Sequence, residues 1–199
     1  MLFRSGIMKE NLRPSQAEKE FLSLAYNKFY DIYDEILQNE LFWNKDDFYR
    51  FSKIREAICI YGEVQLYEPI QWKIENMKIQ RPPMEAEIAG ELFKCIRNIF
   101  SRFPFFDSWN KVWVSDTLLN WNKPNQGIYR FILEYLGHDE VKYRIWDAKF
   151  KKMIYLSISF PENFVNKIYL EDIISEKEGV EFSLILMKEV MKKIGRAHV

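Results

Sequence analysis

The run Ile96-Arg97-Asn98-Ile99-Phe100-Ser101-Arg102-Phe103-Pro104 holds the residue types best suited to gripping an anion. The planar guanidinium groups of Arg97 and Arg102 can each hold a phosphate bidentately, and Asn98 offers an amide that can orient it. Both arginines also stand near the end of a helical pattern, where a cation complements the helix dipole. A helix-end charge and a phosphate grip are therefore two readings of the same residues. A second basic group, Lys149, Lys151 and Lys152, falls at a turn between two alternating runs. It reads as a solvated turn or as a contact for an RNA backbone.

Other chemistry is sparse. The chain has no glycine-rich phosphate loop, no Cys-x-x-Cys, no His-Glu-x-x-His and no nucleophile elbow. Of the two histidines, His198 is next to the last residue and His138 precedes Asp139-Glu140. Extended backbone does not converge three successive side chains on one metal, so His138 reads as part of a polar turn. No metal site and no cofactor is expected. Cys59 and Cys95 lie in helical patterns beside apolar neighbours and read as small buried hydrophobes in a reducing compartment.

The chain has 199 residues, 48% of them apolar and 17% aromatic, which suits one domain with a sizeable core. Lys+Arg and Asp+Glu both number 29. That balance excludes a protein that coats polyanions through bulk positive charge, but it leaves room for a local basic site. Met1-Leu2-Phe3-Arg4 runs directly into polar sequence, and no stretch has the apolar length of a membrane span. A cytoplasmic protein without a membrane partner is expected.

The spacing of apolar residues shows what must position these groups. Residues 1–14 read as a polar arm. Ser15 and Glu18 form a capping box for a helix to about Gln38, with Leu22, Ala25, Phe29, Ile32, Tyr33 and Ile36 as its buried stripe. Tyr26, Tyr30 and Tyr33 read as half-buried bundle residues. Asp46 and Asp47 can cap a second helix with the stripe Phe48, Phe51, Ile54, Ile58 and Tyr61, which Pro69 should kink or break. Arg81-Pro82-Pro83 starts a third helix, with Glu85 and Glu87 at its positive end and Ala89, Leu92, Phe93, Ile96 and Phe100 facing inward. Pro104 ends it.

The aromatic stretch Phe105 to Asn125 reads as irregular, with Trp109, Trp113 and Trp121 covering the core or offering a stacking platform for bases. A short helix is expected from about Gln126 to Leu136. Val141, Tyr143 and Ile145 then alternate with polar residues, as do Leu156, Ile158 and Phe160, so a β-hairpin turns at Asp147-Ala148-Lys149. Tyr169 to Ser175 and Phe182 to Ile194 read as helical, separated by a Lys-Glu-Gly break. Glu171, Asp172, Glu176, Glu178 and Glu181 give this region an acidic face, solvated or used in subunit packing. The expected fold is mainly α: a helical bundle over 15–136, with a small α+β portion over 137–199 packed on it as one domain.

The Arg97 segment resembles the signature of the HEPN superfamily, helical-bundle proteins that often act as metal-independent RNases in toxin–antitoxin, abortive-infection and CRISPR systems. Their motif is an arginine, a polar residue, and a histidine after four to six intervening residues. Arg97 and Asn98 match its first two positions. Arg102 stands where the histidine falls, and an arginine stays protonated at any working pH, so it cannot act as a general acid or base. It can still bind phosphate and stabilise developing charge. The resemblance thus implies an RNA-binding homodimer with a cognate antitoxin. Catalysis is implied in a histidine-bearing form and impaired with Arg102, whether that arginine marks a binding-only protein or silences a nuclease. A non-enzymatic module docking a partner through Phe105 to Trp121 is the alternative. An enzyme built on His138 and nearby carboxylates ranks behind both.

Overall fold

The computed structural model describes residues 15–102, 105–115, 141–147, 150–159 and 167–198. The polar arm, the Gln126 to Leu136 helix, His138, Trp121 and Lys149 lie outside them. Helix α1 spans Gln16–Leu37 and starts as its sequence dictates: the Glu18 amide donates to Ser15 Oγ at 3.3 Å and the Ser15 amide to Glu18 Oε2 at 2.6 Å. Its six buried residues are the six of the expected stripe. A 3₁₀ turn, Glu40–Asn44, leads to α2, Asp47–Val64, where Asp46 Oδ1 accepts from the Tyr49 amide at 2.9 Å. Phe51, Ile54 and Ile58 of its stripe are buried, whereas Phe48 is 66% exposed. Phe48 sits in the first turn with its ring towards solvent, and Ala57, Ile60 and Val64 fill the buried face instead.

The chain breaks just before Pro69 rather than at it. Helix α3, Glu68–Ile79, carries the proline in its first turn, where a missing N–H breaks no helical bond. Helix α4, Pro83–Glu87, passes through a π turn, Ile88–Leu92, into α5, Phe93–Arg102. The expected single helix is therefore three segments, and the wider turn rotates the α5 stripe relative to α4. Helix α1 packs along α2, and α2 along α5. Leu92, Ile96, Ile99 and Phe100 enter the common core.

The hairpin matches the expectation. Strands β2, Val141–Asp147, and β3, Lys152–Ile158, pair antiparallel with Tyr143 opposite Leu156 and Ile145 opposite Ile154. A second pairing was not foreseen. Strand β1, Trp113–Ser115, within the stretch read as irregular, lies antiparallel to β4, Lys167–Tyr169, whose last residue is the first of the segment read as helical. Helix α6 is then only Leu170–Ile173. Trp109 is buried and its Nε1–H donates to the Ile174 carbonyl at 3.0 Å, so it is a core residue and not a stacking platform.

Helix α7, Glu176–His198, runs straight through the Lys-Glu-Gly expected to break it. Gly179 serves close approach there: a Cβ on it would stand 2.5 Å from Ile174 Cγ2 and 3.3 Å from the Trp109 ring. Gly179→Ala should therefore destabilise the protein by about 1–3 kcal/mol through overpacking, although alanine is the better helix former. A urea melt followed by far-UV circular dichroism checks this; a stability equal to or above the wild type refutes the close packing. The acidic start of α7 also has an intramolecular partner. Arg50 donates to Glu176 through Nε at 3.2 Å and Nη2 at 3.0 Å, and to the Lys45 carbonyl at 2.6 Å, tying α7 to the N-terminus of α2. Helix α7 packs against α1, α2, α3 and β3, so the C-terminal portion shares the bundle's core. Among the described residues, no helix is long and apolar enough to cross a membrane.

Candidate functional site

Lys94, Arg97, Asn98 and Ser101 follow one another at spacings of three, one and three, so they share one face of α5. All four line an open cleft of about 830 Å³ bordered by α2, α3, the π turn, α5, α7 and Tyr143 of β2. The two arginine readings diverge here. Arg97 is not simply a charge at a helix end: it is half-buried, its stem passes Gly62 of α2, and its Nη1–H donates to Gln65 Oε1 where α2 ends. Gln65 also hydrogen-bonds the Tyr61 hydroxyl. Arg97, Gln65 and Tyr61 thus form one polar chain across the α2–α5 contact.

Burial pushes the Tyr61 hydroxyl up to about 12, against the lowering effects of Gln65 and the Arg97 charge. It is a phenol at neutral pH, able to donate to an anion and unable to act as a base. Burial likewise pushes the Cys59 thiol up, so this cavity residue is not poised as a nucleophile. The lining carries three cations, Arg81, Lys94 and Arg97, and three carboxylates, Glu63, Glu75 and Glu91. On the cavity face of α5, Lys94 and Arg97 follow Glu91 at helical spacing, and the amide of Asn98 and the hydroxyl of Ser101 come next along the helix. That arrangement can hold one phosphate-sized anion through charge-assisted hydrogen bonds.

The structure brings Arg97 and Asn98 together in the cavity. Arg102 is the last residue of α5, one turn beyond Asn98, and its side chain lies outside the described set. Lys151 and Lys152 are exposed at the hairpin turn and do not line the cavity, although the hairpin's Tyr143 does. Lys151 adopts a φ of 49°, a left-handed conformation that closes the turn. Sequence reasoning missed Gln65, Tyr61, Lys94 and Ser101. Helical spacing from Arg97 could have found the last two, but the first two arrive from another helix with no local signal.

A buried ionic group flanks the site. Glu85, expected to serve the helix dipole, accepts from Arg81 Nη1 at 3.2 Å and pairs with Arg144 Nε at 2.8 Å. Arg81 also donates to the Arg144 carbonyl at 2.9 Å and lies 4.7 Å from the centre of the Tyr143 ring. These contacts clamp the hairpin to α4 beside the cavity mouth. No protein-family model, curated protein or solved structure matches this chain significantly.

Proposed function

We propose that the chain is a HEPN-like RNA-binding protein of a toxin–antitoxin or abortive-infection type, with Arg97 as the seat of an RNA phosphate. The observation that carries this reading is that Arg97, Asn98 and Ser101, neighbours on one face of α5, line a single cavity, with Arg97 and Asn98 half-buried in it. Arg97 holds the phosphate, Asn98 orients it, and Arg102 adds charge without proton transfer. The chain binds RNA and cuts it poorly or not at all. A histidine at position 102 turns the site into a metal-independent endoribonuclease, activating the 2′-hydroxyl or protonating the leaving oxygen. Pairing of two chains around this helix end gathers four arginines at one cleft, which reconciles a neutral protein with a polyanionic ligand. A cognate antitoxin that covers the cleft completes the system.

The test compares wild type, Arg102→His and Arg97→Ala. Binding to a fluorescein-labelled single-stranded RNA is read by anisotropy, and cleavage on a denaturing gel in excess EDTA. Arg102→His should cleave, and Arg97→Ala should weaken binding by roughly ten- to a hundredfold, the loss of a charge-assisted grip. If Arg102→His neither cleaves RNA nor binds it in an Arg97-dependent way, the reading fails. The interaction-module alternative retains one observation, the 62% exposed ring of Phe105 against Phe106, with centroids 4.5 Å apart.

A further inference from the structure

The hairpin's two faces differ in a way that its place on the bundle does not require. Tyr143, Ile145, Leu156 and Ile158 are buried beneath it. On the outer face, where polar residues are the rule, stand Trp146 at 52% exposure, Tyr155 at 57% and Met153. The register sets Trp146 opposite Met153 and Arg144 opposite Tyr155, so Trp146 and Tyr155 are diagonal neighbours on one flat surface.

The same hairpin concentrates positive charge. Between Val141 and Ile158 the bases are Lys142, Arg144, Lys149, Lys151 and Lys152, and the one acid is Asp147, in a chain whose charges balance overall. Asp147 is buried and its Oδ1 accepts from the Phe150 amide at 3.3 Å. Glu85, the carboxylate that reaches this face, is buried against Arg81 and Arg144. Arg144 keeps nearly half its side chain on the surface while Glu85 fixes it in place. Lys151 and Lys152 are exposed at the tip.

Exposed rings interleaved with cations fit a ligand with flat π faces joined by regular negative charges. We propose that the outer face of the β2–β3 hairpin is a base-stacking surface for single-stranded RNA, with Trp146 and Tyr155 as the platforms and Arg144 and the turn residue Lys151 on the phosphates. This rests on the reading of the chain as an RNA binder, but it uses none of the cavity residues. It moves stacking from the Trp109 segment to the hairpin, and gives the hairpin lysines aromatic partners that base-independent phosphate contacts do not need.

Two probes separate the elements of the proposal: a fluorescein-labelled 12-residue oligouridylate, and an abasic ribose-phosphate 12-mer of equal charge. The full chain should bind the oligouridylate at least about tenfold more tightly than the abasic strand. Trp146→Ala/Tyr155→Ala should lose about tenfold or more on the oligouridylate and little on the abasic strand, while Trp146→Phe/Tyr155→Phe restores most of the difference. All these side chains are exposed, so thermal melts should coincide with the wild type. Arg97→Ala should weaken both probes in parallel and preserve their ratio. Equal wild-type binding of the two probes, or an alanine pair that binds oligouridylate like the wild type, overturns the hairpin proposal alone. Loss in the alanine pair with no effect of Arg97→Ala supports the hairpin and overturns the cavity reading. Wild type that binds neither probe overturns both.

Discussion

Phe100→Ala should lower the folding free energy by about 3–5 kcal/mol, the range for removing a large aromatic side chain from a packed interior. Phe100 is 1% exposed. Its ring stacks on Phe51 of α2 with centroids 4.9 Å apart and planes at 28°, and meets Trp109 at 5.7 Å. It therefore joins α5 both to the bundle and to the segment that leads to β1. The Trp109 ring cannot readily collapse into the space, because its Nε1–H is held by the Ile174 carbonyl. Urea unfolding should show a lower midpoint at unchanged slope, and Phe100→Leu should recover part of the loss. A change below about 1 kcal/mol would mean that the ring is not enclosed as described. Phe100 follows Arg97 by three residues on the same helix, so loss of the cavity site in this variant would report unfolding, whereas Arg97→Ala tests chemistry.

Glu85→Ala should cost about 3 kcal/mol. Removing one partner of a buried ion pair strands the other, at typically 3–5 kcal/mol, and the half-exposed Arg144 places the effect at the low end. Arg81 is the group left behind, with its side chain 17% exposed and its guanidinium against the Tyr143 ring. The part of the loss that comes from the Arg81–Glu85 pair should depend little on salt, because both of those side chains are shielded from solvent ions. Glu85→Leu combined with Arg81→Met should recover most of it, since an apolar pair of similar volume leaves no unpaired charge. Chemical denaturation measures both, and amide hydrogen exchange should show the hairpin opening more readily in Glu85→Ala. Stability within about 0.5 kcal/mol of the wild type would refute the clamp.

Much of the molecule is legible in short-range pattern. The Ser15–Glu18 box and the α1 stripe follow from spacing within a few turns, and so does the β2–β3 alternation, because caps and periodicity act between near neighbours in the chain. The failures share a cause. Gly179 looks like a helix break until Ile174 and Trp109 are seen against it. Strands β1 and β4 are three residues each, too short to show a period, and exist because distant segments meet. Phe48 carries the right spacing but sits where no neighbour covers it.

The candidate site divides in the same way. Residue types and helical register place Arg97, Asn98 and Ser101 on one face of one helix. Which way that face turns is decided by packing: α2 brings Gln65 and Tyr61, α7 and Tyr143 complete the wall, and a charge that could cap a helix end lies in a cavity instead. The mainly helical fold and its stripes come from interactions a few residues long. The half-buried position of Arg97 comes from burying those stripes against one another, a long-range outcome that no local pattern encodes.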